Sequence, residues 1–130
     1  LPLPRKHIIE VEGWTIGLIH GDSVHPRGDP AGLTRLAQEL GVSILVTGHT
    51  HEAFIKPGVR RDILLVNPGS LTGVWSGGGG SLIPSFMVSW ISSDGLLINL
   101  YTLRGGVLAH ESYFAEWKNS SWIITRMEAQ

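Results

Sequence analysis

The fold is decided by two short stretches, WTIGLIHG at residues 14–21 and VSILVTGHTH at residues 42–51. The first is a short β-rich run followed by His20 and Gly21. The second has the continuous apolar run VSILV before its Gly and His, which is typical of a strand that is covered on both faces in a parallel sheet. Between them, Asp29 is a good helix N-cap and Pro30 suits the first helical position. The stretch therefore predicts a strand, a helix and a parallel strand.

The helix between these strands has an apolar face and a clear end. Apolar residues follow one another at helical spacing, and Gly41 predicts the C-terminal cap. They are Leu33, Leu36, Ala37 and Leu40. In a strand-helix-strand unit the carboxyl ends of both strands meet at the same edge of the sheet, which is where functional groups gather.

Three histidines follow those two strand ends. His20 comes after the first strand, and His49 and His51 come after the second. Neutral imidazole binds divalent transition metals, and Gly21 and Gly48 beside these histidines let the backbone approach closely. For any one histidine an ordinary loop position is the more common outcome, but the shared placement of all three predicts a metal site. His7, His25 and His110 have no such placement and are expected at the surface.

The rest of the chain reads mainly as antiparallel sheet. A strand at DILLV precedes Asn67-Pro68-Gly69, where Pro and Gly suit a type II turn. Residues 7–11 and 14–19 predict a hairpin, as do the strands that flank residues 92–95 and those that flank residues 118–120. Gly77 to Gly80 are expected in a loop. Trp14, Trp90 and Trp117 are expected in the core, and Trp75 at the surface.

Composition restricts the function classes. The 130 residues fit one domain, and 42% hydrophobic against 16% charged residues is typical of a packed globule. The formal charge of -1 predicts no nucleic-acid partner, and no apolar stretch is long enough for insertion into a membrane. With no cysteine, thiolate zinc sites are excluded.

Ordered motifs in this chain resemble a known superfamily. LIHG, GHTH and NPGS are similar to the later motifs of the calcineurin-like metallophosphoesterases. HPRGD before the helix, VNPGSLTG and LIPSFMVSWI resemble more closely the vacuolar protein sorting 29 family, the small subunit of the retromer complex. The resemblance implies the carboxyl portion of an α/β/β/α sandwich, a β-α-β unit plus antiparallel strands. Residues 1–130 would be a single domain, a fragment without the amino-terminal ligands of the family.

The resemblance also implies site residues. His20, His49 and His51 stand at metal-ligand positions, for Zn or Mn bound weakly or not at all in this fragment. The expected pocket lining is Gly21, Asp22, Gly48, Asn67 and Gly69, with Asp22 where the family usually has a histidine. The stretch before the helix corresponds to a face that contacts a larger retromer scaffold. Its candidate contacts are Val24, His25, Pro26 and Arg27.

Two functions follow from the resemblance. The first is a non-catalytic interaction subunit of retromer in endosome-to-Golgi transport, cytoplasmic and peripheral to endosomal membranes through its partners. The alternative is a metal-dependent phosphodiesterase or phosphatase. Because the family's bridging carboxylate and first ligands are not in this sequence, we expect little or no hydrolysis by this chain alone. Unpaired sheet edges also predict self-association.

Overall fold

The computed structural model describes residues 6–20, 29–48, 52–69 and 83–127, which form nine strands and one helix. In chain order they are β1 (Lys6–Val11), β2 (Trp14–Ile19), α1 (Pro30–Leu40), β3 (Ile44–Thr47), β4 (Phe54–Pro57), β5 (Leu64–Asn67), β6 (Ser85–Ser92), β7 (Gly95–Arg104), β8 (Val107–Lys118) and β9 (Ser121–Met127). The predicted loop at Gly77 to Gly80 and Trp75 lie outside the described residues. Within those ranges no helix is both long and apolar enough to span a bilayer.

The predicted strand-helix-strand unit is confirmed. β2 and β3 are parallel neighbours, with Ile16 paired to Ile44. At the start of α1 the carboxylate of Asp29 accepts a hydrogen bond from the backbone amide of Gly32 at 3.0 Å. At its end Gly41 takes a left-handed conformation with φ 71°, which glycine adopts without a steric penalty. Local sequence signals therefore set both ends of the helix.

The first sheet has five strands in the order β1-β2-β3-β5-β4. Its centre is parallel, because β3 pairs with both β2 and β5 in that sense. Its two edge strands, β1 and β4, run antiparallel to their neighbours. The strand β4 was not predicted, since its four residues FIKP show no alternation and end in proline.

The second sheet is a four-stranded antiparallel meander in the order β6-β7-β8-β9. The predicted hairpins at residues 92–95 and 118–120 are confirmed, and a further hairpin joins β7 to β8 through Gly105 and Gly106. In the last turn Asn119 and Ser120 both have positive φ, of 53° and 59°. Sequential hairpins therefore account for the whole sheet.

Two apolar clusters join these elements into layers. Between the sheets, Ile44 and Leu64 of the first pack against Ile98 and Trp122 of the second. On the other face of the first sheet, α1 packs through its buried apolar residues onto β3 and β5. β3 contributes alternate residues to both clusters, as a strand covered on two faces does. The described residues thus form helix, sheet and sheet layers of the expected α/β/β/α sandwich.

The tryptophans occupy partly unexpected places. Trp14 and Trp117 pack against the inter-sheet core, as predicted, with ring centroids 5.7 Å apart. Trp90 was predicted in the core, but 53% of it is exposed, because β6 turns this residue to the outer face of its sheet. Trp122 is fully buried instead and lies 4.8 Å from Trp14.

Candidate functional site: the rim of the first sheet

The ends of β2 and β3 lie side by side, as the sequence predicted. Ile19 pairs with Thr47, and the backbone amide of Gly48 donates to the carbonyl oxygen of His20 at 3.2 Å. A Cβ built on Gly48 would lie 3.7 Å from Nδ1 of His20, so the imidazole lies over this glycine. Gly48, which directly precedes His49 in the sequence, therefore lies beside His20.

Asn67 fixes the third strand end to the same point. Its side chain is fully buried at the end of β5. The amide nitrogen Nδ2 donates to the carbonyl oxygen of Gly48 at 3.0 Å, and Oδ1 accepts from the backbone amide of Gly69 at 2.9 Å. A buried polar side chain is retained at little cost when its donors and acceptors are satisfied. Asn67 therefore ties β3 to the turn that follows β5.

The turn after Asn67 also touches the second sheet. The hydroxyl of Ser85, at the start of β6, donates to the carbonyl oxygen of Pro68 at 2.8 Å. Gly69 has φ 82°, and a Cβ there would lie 2.1 Å from the Ser85 oxygen, so the turn requires glycine. The sequence reasoning missed Ser85, because a serine that begins a strand carries no signal of such a contact.

The rim, formed by His20, Gly48, Asn67 and Gly69, lies at the carboxyl ends of β2, β3 and β5. His20 and Gly48 each stand four residues after Ile16 and Ile44, which point into the inter-sheet core. Since side chains alternate along a strand, both positions belong to the face that looks toward the second sheet. His20 is exposed, so its side chain is accessible from solvent.

The chemistry of the rim fits a divalent transition metal in its donor type. Imidazole nitrogen suits zinc and manganese, and His20 presents it at a rigid strand end over a residue without a side chain. The residues described include no group of three His, Cys, Asp or Glu side chains that could hold a metal ion. Of the predicted trio only His20 falls within those ranges.

Several predicted site residues lie outside the described residues. They are Gly21, Asp22, Val24, His25, Pro26, Arg27, His49 and His51. Within the described part, His20, Gly48, Asn67 and Gly69 form one connected group. His7 and His110 are exposed, as expected.

Two curated relatives from archaea are similar to about half of this chain. A probable metallophosphoesterase of Methanocaldococcus jannaschii is 56% identical over 72 residues, 55% of this chain and 36% of the relative. A probable metallophosphoesterase of Methanothermobacter thermautotrophicus is 48% identical over 69 residues, 53% of this chain and 38% of the relative. The match thus spans little more than a third of either relative.

Solved structures share the fold over most of the chain. Vacuolar protein sorting 29 from Cryptosporidium parvum superposes with a TM-score of 0.81 at 31% identity, over 87% of this chain and 57% of that one. Wild-type Vps29 from Entamoeba histolytica, solved with zinc, gives 0.78 at 36% identity over 85% and 60%. Vps29 from Chaetomium thermophilum, solved with a cyclic peptide, gives 0.73 at 25% identity over 84% and 60%.

A family model covers the first sheet and the start of the second. It describes the calcineurin-like phosphoesterase superfamily domain and matches residues 2–88, which include all three predicted ligands. This chain belongs to the calcineurin-like phosphoesterase superfamily.

Proposed function

We propose that this chain is part of a metal-dependent phosphoesterase in which His20, His49 and His51 hold a divalent ion. The observation that carries the proposal is the position of the His20 imidazole over Gly48, the residue next to His49. The names and the 56% and 48% identities of the two archaeal relatives support it. From the sequence alone we preferred an interaction subunit to a phosphoesterase. The two archaeal relatives lead us to prefer the phosphoesterase.

Each described rim residue has a distinct role in this proposal. His20, His49 and His51 would hold a zinc or manganese ion, which would supply polarisation of a phosphoryl oxygen and a lowered pKa of bound water. His20 supplies a ligand nitrogen from the end of β2. Asn67 holds the end of β5 against Gly48 at the end of β3. This ligand set of three imidazoles includes no carboxylate that could bridge two metal ions. We therefore expect weak metal binding and little hydrolysis by this chain alone.

Calorimetric titration with Zn²⁺ tests the ligand assignment. We expect at most one weakly bound ion per chain, and an affinity at least tenfold lower for His20→Ala. His110→Ala is the matched control, because His110 is an exposed histidine on the second sheet. Unchanged zinc affinity in His20→Ala would refute the assignment, and two tightly bound ions would show that the ligand set is more complete than we propose.

A second candidate function is that of a retromer-type interaction subunit. The similarity to Vps29 supports it, because it extends over 84–87% of the chain and so includes strands that contribute no ligand. One of those Vps29 structures holds a cyclic peptide. In this proposal Val24 to Arg27 contact a larger scaffold subunit, and the protein is cytoplasmic and reaches endosomal membranes through its partners.

Binding to a purified retromer scaffold subunit separates the two candidates. The interaction role predicts binding without added metal, weakened at least tenfold by Arg27→Glu. Arg126→Glu is the control, since Arg126 lies on β9 and its side chain is 67% exposed. No scaffold binding by the wild-type chain, together with zinc binding that depends on His20, would leave the phosphoesterase role alone.

A further inference from the structure

The hairpin of β1 and β2 places a second histidine on the same face as His20. His7 pairs with Leu18, so His20 lies two residues beyond the residue that is directly opposite His7. On the same two strands Ile9 pairs with Ile16, and both contribute to the inter-sheet core. Because side chains alternate along a strand, His7 and His20 both belong to the face that looks toward the second sheet. The two histidines are therefore diagonal neighbours on one face.

Solvent reaches this part of the face. His7 and His20 are exposed, and Leu18, which is next to both, is 38% exposed. The charged residues of β1, Lys6 and Glu10, alternate to the opposite face. In the two strands as the structure describes them, no ammonium or carboxylate group therefore shares this face with the imidazoles. A cation bound between His7 and His20 is thus not repelled by a charge on either strand.

The spacing of the two histidines suits a shared metal ion. Diagonal neighbours in an antiparallel pair are about 7–8 Å apart, which is within reach of aromatic and long side chains. A zinc ion lies about 2.0–2.1 Å from each imidazole nitrogen that binds it, so the two nitrogens need to come within about 4 Å of each other. Of the His20 ring only Nδ1 comes within 4 Å of the point that a Cβ on Gly48 would occupy. Nε2 is therefore the ring nitrogen farther from Gly48.

We propose that His7 and His20 bind one divalent transition-metal ion as a pair of ligands from adjacent strands. The inference rests on the proposed function only in taking His20 as a ligand, and it needs neither His49 nor His51. Zinc, copper and nickel all suit imidazole nitrogen. Since β1 is an edge strand of the first sheet, an ion held by both strands also stabilises its pairing with β2.

Calorimetric titration with Zn²⁺ tests the role of His7. We expect His7→Ala to lower the zinc affinity at least tenfold relative to the wild-type chain. His110→Ala is the matched control, because His110 is also an exposed histidine on a strand but lies on the second sheet. Far-ultraviolet circular dichroism that matches the wild type confirms that each variant is folded. An affinity of folded His7→Ala equal to that of His110→Ala would overturn the proposal.

A double variant tests whether the face of the strand matters. Combining His7→Ala with Ile8→His keeps the number of histidines and moves one of them to the opposite face of β1. Ile8 is 43% exposed, so the replacement does not disturb a buried site. We expect this double variant to bind zinc as weakly as His7→Ala alone. Binding as strong as that of the wild type would show that the shared face is not the reason.

Imidazole resonances give a readout that is specific to each ligand. In long-range ¹H–¹⁵N correlation spectra, Zn²⁺ should shift a ring nitrogen of both His7 and His20 and leave His110 unchanged. A shift of the His20 nitrogen without one of His7 would overturn the proposal.

A variant with His49 and His51 both replaced by Ala separates this inference from the proposed function. Weaker zinc binding in that variant but not in His7→Ala would overturn the inference and leave the proposed function standing. The reverse result would support the pair of His7 and His20 and contradict the site of three histidines. Weaker binding in both variants would support both, and a wild-type chain that binds no zinc would contradict both.

Discussion

Replacement of Asn67 by Ala measures how much the rim depends on one buried amide. The change removes the hydrogen bonds to Gly48 and Gly69 and leaves their carbonyl and amide groups without this partner. Each orphaned buried backbone group costs about 1–3 kcal/mol. Both glycines are only half-buried, so water replaces part of the loss. We expect the free energy of unfolding to fall by about 2–4 kcal/mol.

Urea unfolding followed by circular dichroism measures this fall in the free energy of unfolding. It is the shift of the transition midpoint multiplied by the m-value, provided that the m-value is unchanged. Asn99→Ala is the matched control, because Asn99 also makes two side-chain hydrogen bonds but lies half-buried on the outer face of the second sheet. Its loss should cost about 1 kcal/mol or less. If Asn67→Ala costs no more than Asn99→Ala, the amide does not hold the strand ends together and our account of the rim is wrong.

Three further predictions concern the helix, the GHTH segment and one phenol. Leu33→Ala should cost about 2–5 kcal/mol in urea unfolding and Leu36→Ala clearly less, because Leu33 is 1% exposed and Leu36 only half-buried; equal costs would contradict this helix orientation. His49 and His51 replaced together by Ala should leave the melting temperature nearly unchanged, and a large drop would show a structural role. The hydrogen bond that the Tyr113 hydroxyl donates to the Glu111 carboxylate, and then burial, raise the pKa of Tyr113. This stabilisation of the neutral phenol is present below about pH 10 and is lost as the pH rises through the pKa of Tyr113 in the folded protein. Tyr113→Phe should therefore remove the latest step of an ultraviolet tyrosinate titration, and loss of an ordinary step near pH 10 would contradict it.

The parts of the fold that follow from short-range chemistry could be predicted from sequence. Asp29 and Gly41 end the helix through contacts within four residues, and the hairpin turns depend on residues that accept positive φ. The strand-helix-strand unit then follows from connectivity, and with it the meeting of His20 and Gly48. Local signals and topology together were sufficient for the meeting of the ends of β2 and β3, whereas Asn67 and Gly69 were included only through the family resemblance.

Long-range choices could not be predicted in the same way. The strand β6 has apolar residues on both faces, so its sequence does not say whether Met87 or Trp90 faces the core; the pairing with β7 decides it. The burial of Trp122 likewise depends on where β9 crosses the first sheet, which the sequence of β9 does not specify. The contact of Ser85 with Pro68 joins residues 17 apart along the chain, which no local pattern records.

The three packed indoles of Trp14, Trp117 and Trp122 have a practical consequence. They lie where β2 begins, whereas His20 lies where it ends, so about 20 Å of strand separates them. Their emission responds to the separation of the two sheets and is too remote to sense an ion at the histidines directly. In a Trp75→Phe and Trp90→Phe double variant, which retains only these three indoles, a change in intrinsic fluorescence on metal addition would thus mean that occupancy at one end of the sandwich alters its closure at the other.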